Sequence, residues 1–363
     1  MFVAQHDTRP HPVHHSRAQT ETFEHMRGPA HTPRIGLALG SGSARGWAHI
    51  GVLQALEEAG IRPHVVCGTS IGALVGAAYA AGELQRFSGW VHGLGLRDVL
   101  SFMDFSLSGG VLKGERLMAF FKRNFIDKPV DHLNLPFAAV ATALESGQEI
   151  WLREGSTVDA VRASIALPGL FSPVWYQGRL LVDGGLVNPV PVSLARAMGA
   201  DLVIAVDLNS DILGRHLNRA VEPAPAEPEG PDWLQRLQNN MQWFLADPAQ
   251  SESTDNQHPL PAKGAAASPG HTTATGHPGA TATQPARLPS VLDVIASSLN
   301  IMQVRITRSR MAGEPPDLVI TPKLAHLGLL DFHQAEIAIK AGHAAAQPAI
   351  NALQSLLDPA KRN

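Results

Sequence analysis

Apolar residues in this chain fall into short runs that switch between strand-like and helix-like spacing. Ile35–Leu39 (IGLAL) is an unbroken apolar run followed by a glycine-rich stretch, the pattern of a strand covered on both faces. From Trp47 to Ala59 the apolar positions recur at helical spacing, and Gly60 supplies the stop. His64–Cys67 predicts the next strand and Ile71–Ala81 a helix built from small residues. Further strands are expected at Phe137–Leu144, Glu149–Arg153, Arg179–Val182, Leu202–Leu208 and Leu318–Thr321. Helices fit Glu115–Phe125, Val158–Ser164, Val192–Met198, Val291–Ser309 and Gln334–Leu357. Strands alternating with helices predict an α/β fold with a mostly parallel sheet and helices on both faces. There is no internal repeat.

Two stretches leave this pattern. Residues 1–33 carry His6, His11, His14, His15, His25 and His31 with little apolar periodicity, which predicts a disordered N-terminal tail. The histidines lack the spacing of a metal site, and no apolar h-region follows a basic start, so no secretory signal is expected. Residues 214–290 form a low-complexity insert rich in Ala, Pro, Thr, Gly and His, too poor in large apolar groups to offset the entropy of ordering. Inside it, Trp233, Leu234, Leu237, Met241, Phe244 and Leu245 make a short amphipathic helix near 233–245. Docking onto the protein's own core is the simpler use of that stripe, contact with a membrane or partner the other. The expected organisation is thus a core over 34–213, the insert, and a helix–strand–helix over 291–363 that completes the same domain.

Composition narrows the classes. Of 363 residues 44% are hydrophobic, enough for a large core, and the net charge of −3 lacks the basic excess of a dedicated nucleic-acid binder. One cysteine, Cys67, cannot form an internal disulfide, which points to a reducing, cytoplasmic setting. Val65 to Gly82 holds no charged residue and has the length of a membrane span. Glycines at 68, 72 and 76 and its strand-like front half predict instead a buried strand–turn–helix.

The turn inside that run bears candidate chemistry. Gly68-Thr69-Ser70-Ile71-Gly72 is a G-x-S-x-G between a predicted strand and a predicted helix, the setting of a nucleophile elbow. Ser70 would rise above the sheet with a helix N-terminus aimed at developing negative charge; a serine that merely caps the helix is the other reading. Upstream, Gly40-Ser41-Gly42-Ser43-Ala44-Arg45-Gly46 again joins a strand to a helix and offers free backbone amides to an anion. Its spacing misses G-x-G-x-x-G by one residue and no Lys-Ser/Thr pair follows, which disfavours a nucleotide loop. Asp183-Gly184-Gly185 closes another predicted strand and is either an ordinary turn or the site of a base for Ser70. His326 and His333 lie downstream and would suit a Ser–Asp–His order instead.

Together these blocks resemble the patatin-like phospholipase family, and most of all its bacterial members related to the neuropathy target esterase. The likeness runs through Ile35–Leu56, Gly68–Ala73, Arg162–Pro173 and Leu181–Asp201, with echoes at Arg308–Pro316 and Leu330–His333. It implies a three-layer α/β/α lipid acyl hydrolase with a Ser–Asp dyad, no cofactor and no metal. Carried onto this sequence, Ser70 is the nucleophile, Asp183 the base, and the Gly42 and Ser43 amides the oxyanion hole, with Gly40, Arg45 and Gly46 shaping the loop. Gly68, Gly72, Gly184 and Gly185 are the motif glycines. The family loop reads GGGxRG where this chain has Ser41-Gly42-Ser43-Ala44-Arg45-Gly46, so two glycines have become serines. The implied partners are a lipid or ester substrate and peripheral contact with a membrane, with no nucleic acid.

Overall fold

A computed structural model describes residues 33–102, 113–126, 128–212 and 291–357. Residues 1–32 of the predicted tail over 1–33, the 214–290 insert and its stripe near 233–245 lie outside the described residues.

Among the described residues eight strands form one sheet: β1 (Ile35–Leu39), β2 (Val65–Thr69), β3 (Phe137–Ala143), β4 (Glu149–Leu152), β5 (Val174–Tyr176), β6 (Arg179–Asp183), β7 (Leu202–Val206) and β8 (Leu318–Ile320). The path runs β5-β6-β3-β2-β1-β7-β8, with β4 also on β3. Neighbours from β3 through β8 pair in parallel, whereas β4, β5 and β6 join by antiparallel ladders. The helices are α1 (Ala48–Glu58), α2 (Ile71–Ala80), α3 (Leu84–His92), α4 (Leu96–Ser101), α5 (Glu115–Asn124), α6 (Thr157–Ser164), α7 (Val192–Ala197), α8 (Val291–Gly313) and α9 (Ala335–Leu357). A 3-10 turn over Ser43–Trp47 leads into α1.

The strand alternation divides the core in two. Ile35, Leu37 and Leu39 of β1, Val66 of β2, Ala139 and Ala141 of β3 and Ile204 and Val206 of β7 face one side, packed with residues from α1, α2, α3, α5, α6 and α9. The intervening positions, Ala38, Val65, Cys67, Ala138, Val140, Val203 and Ala205, face a thinner layer formed by α7 and its flanks. With both faces covered, β1, β2 and β7 are buried throughout, which explains their unbroken apolar runs. This is a three-layer α/β/α arrangement. The segment Val65–Gly82 is β2, a tight turn and α2, and no described helix is long and apolar enough to cross a membrane.

Register positions the site. β2 pairs with β3 as far as Thr69 against Val140, and β6 pairs with β3 from Asp183 against Ala141. β4 spans Ala139–Thr142 and so holds the opposite edge of β3. β6 therefore takes up, on the same edge, where β2 stops.

Candidate active site

Ser70 follows β2 directly and adopts φ 57°, ψ −124°, a strained conformation for a residue with a side chain. The turn around it is tight enough to require glycine. A β-carbon on Gly68 would lie 2.4 Å from the Gly72 carbonyl, and one on Gly72 would lie 2.3 Å from the Leu39 carbonyl oxygen. Ser164 of α6 secures the turn: its hydroxyl accepts the Ser70 N–H at 2.9 Å and donates to the Val140 carbonyl at 2.6 Å.

The Ser70 hydroxyl donates to Asp183 Oδ2 at 2.5 Å, the length of a charge-assisted O–H···O bond. Oδ1 of the same carboxylate accepts the Gly185 N–H at 2.7 Å. The Asp183 backbone is held too, its N–H donating to the Ala166 carbonyl at 2.9 Å and its carbonyl accepting from Thr142 Oγ1 at 2.8 Å. Gly184 lies against the Val140 carbonyl with no room for a side chain. Asp183 is fully buried, and loss of hydration pushes its pKa up to about 6 against the opposing pull of the Ser70 and Gly185 hydrogen bonds. His326 and His333 are both exposed, and neither hydrogen-bonds to Ser70 or Asp183.

The loop after β1 bends over the same point. Gly40 and Ser41 donate their amides to the Val206 and Pro189 carbonyls, and Ala44 and Arg45 donate theirs to Leu329 and Gly42. Between them the Gly42 and Ser43 amides have no acceptor among the described residues. Ser43 sits at φ 51°, the left-handed region where glycine is at ease, and its hydroxyl donates to the Leu329 carbonyl at 2.6 Å. Buried Arg45 donates Nε to the Gly42 carbonyl at 3.1 Å and Nη2 to Asn300 Oδ1 at 3.2 Å. This fixes the Gly42–Ser43 peptide and turns the Ser43 N–H, trans to that carbonyl, the opposite way. Burial lowers the Arg45 pKa to about 10, with Asp211 and Asp207 working against the loss, so the guanidinium stays charged at neutral pH.

Gly46 packs where a side chain would collide with Ile71, and His49, fully buried, bonds the Gly40 carbonyl through Nε2 at 2.7 Å. Burial drops the His49 pKa to about 4, which leaves it neutral and makes Nε2–H the donor. His49, Thr142 and Ser164 all support the site, and none stands out in the sequence. Ser164 lies within the recognisable Arg162–Pro173 block, yet its hydroxyl is informative only once α6 is seen against β3.

Ser70, Gly42 and Ser43 lie at the polar end of a cavity of about 1120 Å³, its open mouth included. The remaining wall is mostly apolar, with Leu74, Trp90, Phe102, Leu167, Phe171 and Phe332 among its residues.

Comparison with known proteins bears on the family of the chain. Residues 37–196 match the family model described as patatin-like phospholipase. A Mycobacterium tuberculosis protein named as an uncharacterized NTE family protein is 34% identical over 348 residues, 89% of this chain and 93% of that one. Patatin-like phospholipase domain-containing protein 6 of Homo sapiens is 39% identical over 185 residues, 48% of this chain but 13% of that much longer protein. The solved structure of VipD from Legionella pneumophila aligns with a TM-score of 0.49 at 14% identity, over 89% of this chain and 67% of that one. The family-model match and the relative covered over 93% of its length define the class of this chain. The chain belongs to the patatin-like phospholipase family and, within it, to the NTE family.

Proposed function

We propose that this protein is a serine acyl hydrolase that cleaves carboxylic ester bonds of lipids, in the manner of a phospholipase A or lysophospholipase. The observation that carries this reading is the 2.5 Å hydrogen bond from Ser70 on its strained turn to buried Asp183, at the polar end of an apolar cavity.

In the proposed reaction the acyl chain lies along the apolar wall and the ester carbonyl lies beside Ser70. Oγ attacks the carbonyl carbon as its proton passes to Asp183 Oδ2. The carbonyl electron pair moves onto oxygen, where the Gly42 and Ser43 amides stabilise the charge. Collapse expels the alcohol, which takes the proton from Asp183 and leaves an acyl-enzyme on Ser70. Water then gives a proton to Asp183 and attacks the acyl carbon; collapse releases the fatty acid, and the proton returns to Ser70. A pKa near 6 suits this role, since the carboxylate is ionised at neutral pH yet more basic than an exposed one. The lipid would be met at a membrane surface, through peripheral contact.

The test is labelling by a fluorophosphonate followed by peptide mapping. A single adduct on Ser70, absent in Ser70→Ala, is expected together with turnover of p-nitrophenyl esters. An intact, folded chain with no adduct at Ser70 would overturn the reading.

A further inference from the structure

Gln303 belongs to α8, which lies far beyond the residues matched by the family model, yet its side chain lines the cavity that Ser70 also lines and approaches Gly185. It is largely buried and lines the cavity with Ser70, Gly42 and Ser43. Its Oε1 is fully engaged, accepting from Ser41 Oγ at 3.0 Å and from Asn209 Nδ2 at 3.1 Å. Asn209 Nδ2 also faces the Ser41 carbonyl at 3.3 Å, a group that can only accept, so the nitrogen of that amide is the atom turned this way. Gln303 must therefore present its oxygen to Asn209, and its NH2 group points the other way. Nε2 has no acceptor among the described residues.

The neighbourhood of Nε2 is the Asp183 turn. A β-carbon built on Gly185 would stand 2.5 Å from Gln303 Nε2 and 2.9 Å from Asp183 Oδ1, so amide and carboxylate flank the same point. A larger residue than glycine at 185 would displace the Gln303 amide. One helical turn before it, Asn300 repeats the arrangement: Oδ1 is held by Arg45, while Nδ2 has no acceptor among the described residues and the residue lines the same cavity. In a wall that is otherwise mostly apolar, α8 thus turns carboxamide donors toward the place where an ester would react.

We propose that Gln303 is a catalytic hydrogen-bond donor in this site, its Nε2–H bonding an oxygen of the reacting ester while Ser41 and Asn209 lock its orientation. The proposal rests on the Ser70 ester-hydrolase reading. It assigns α8 a direct part in the chemistry beyond closing the fold, adding a side-chain donor to the backbone amides of the Gly42–Ser43 loop. A donor pre-aimed in a water-poor site stabilises developing negative charge without reorganising as the reaction proceeds.

The test compares Gln303→Glu and Gln303→Met with wild type in p-nitrophenyl butyrate hydrolysis and in the rate of fluorophosphonate labelling at Ser70. Gln303→Glu keeps an oxygen for Ser41 and Asn209 but replaces the donor with a negative charge beside Asp183, so it is read together with the uncharged Gln303→Met. If Gln303 acts only by pinning Ser41, Gln303→Glu keeps its plateau kcat at high pH, with the pH profile displaced upward by the added charge beside Asp183. If Nε2–H touches the ester, kcat falls by about 100-fold, the scale of losing one oxyanion donor, with KM changed far less. Gln303→Met, uncharged and similar in length, is expected to lose kcat comparably and covers the case in which a buried carboxylate prevents folding. A folded Gln303→Glu or Gln303→Met with kcat within threefold of wild type would overturn the donor role and leave the hydrolase reading intact. A wild-type chain that neither labels at Ser70 nor turns over esters would overturn both.

Discussion

Ser70 and Asp183 are 113 residues apart in the chain and 2.5 Å apart in space because two strands share one edge of a third. β2 runs parallel along β3 until Thr69 faces Val140; β6 comes in antiparallel along the same edge and ends with Asp183 facing Ala141, the next residue. The last residue of one strand and the first beyond the other must then meet. The Ser70–Asp183 contact is a product of sheet register, and the glycines at 68, 72 and 184 remove the side chains that would hold the three backbones apart.

The buried carboxylate predicts the pH profile. As the proposed base, Asp183 must be ionised to act, and its pKa is raised to about 6. Below that value kcat/KM for p-nitrophenyl butyrate should fall about tenfold per pH unit, with a plateau above it. A profile that stays flat down to pH 4.5 would show that Asp183 is not the base.

The same burial makes Asp183 a cost to the fold. The folded-state pKa, about 6, exceeds the ordinary 3.8, so the folded chain binds the extra proton between those values. Stability therefore rises as pH falls through that window, and the full cost of the charge is felt above it. Asp183→Asn can keep both contacts, its oxygen accepting from Gly185 and its NH2 donating to Ser70, while carrying no charge. It should be inactive yet more stable at pH 7.5, by up to about 3 kcal/mol, with the difference from wild type vanishing near pH 4. Thermal melts at the two pH values check this; equal melting temperatures at pH 7.5 would contradict it.

Ser43 stands at a positive φ where the family loop has glycine, and two variants separate its terms. Ser43→Gly relieves left-handed strain of about 1 kcal/mol while losing a hydroxyl bond to Leu329 of similar worth, so stability should barely move. Ser43→Ala loses the bond and keeps the strain. It should be less stable than Ser43→Gly by about 1 kcal/mol, measured by urea unfolding. An alanine variant as stable as the glycine one would mean that the loop relaxes to another conformation.

Much of this architecture is legible in the sequence. The IGLAL run gave β1 its true bounds, and the uncharged stretch from Val65 resolved into strand, turn and helix because glycines punctuate it. Three elements leave no clear pattern in the sequence. α3 has apolar residues at 84, 87 and 91, the right spacing, but Gly89 interrupts it; α4 has six residues; β5 has three, none of them buried. Short elements carry too few periods for a pattern to show. Ser70, Gly42 and Asp183 were readable because a turn chemistry surrounds each of them. Ser164 and Gln303 were not, because a polar residue on a helix acquires meaning only when the fold decides which face meets the site.

The cavity makes a separate prediction about chain length. Leu74 lies on α2 four residues beyond Ser70, so helical geometry places it on the same side of the helix, and it lines the apolar wall. Leu74→Trp would fill the space nearest the nucleophile, where the first carbons of a long acyl chain must pass on their way to the aromatic side chains of Trp90 and Phe102. Overpacking at this buried site should cost about 1–3 kcal/mol of stability. That loss acts on the enzyme before any substrate binds, so it cancels when two esters are compared on one variant. A short ester leaves most of the cavity empty and should be spared, while a long one needs the blocked volume. The ratio of kcat/KM for p-nitrophenyl laurate to that for the butyrate is expected to drop by at least about tenfold, the scale of expelling two or more methylenes from apolar contact. An unchanged ratio in a folded, active Leu74→Trp would place the acyl chain elsewhere than in this cavity.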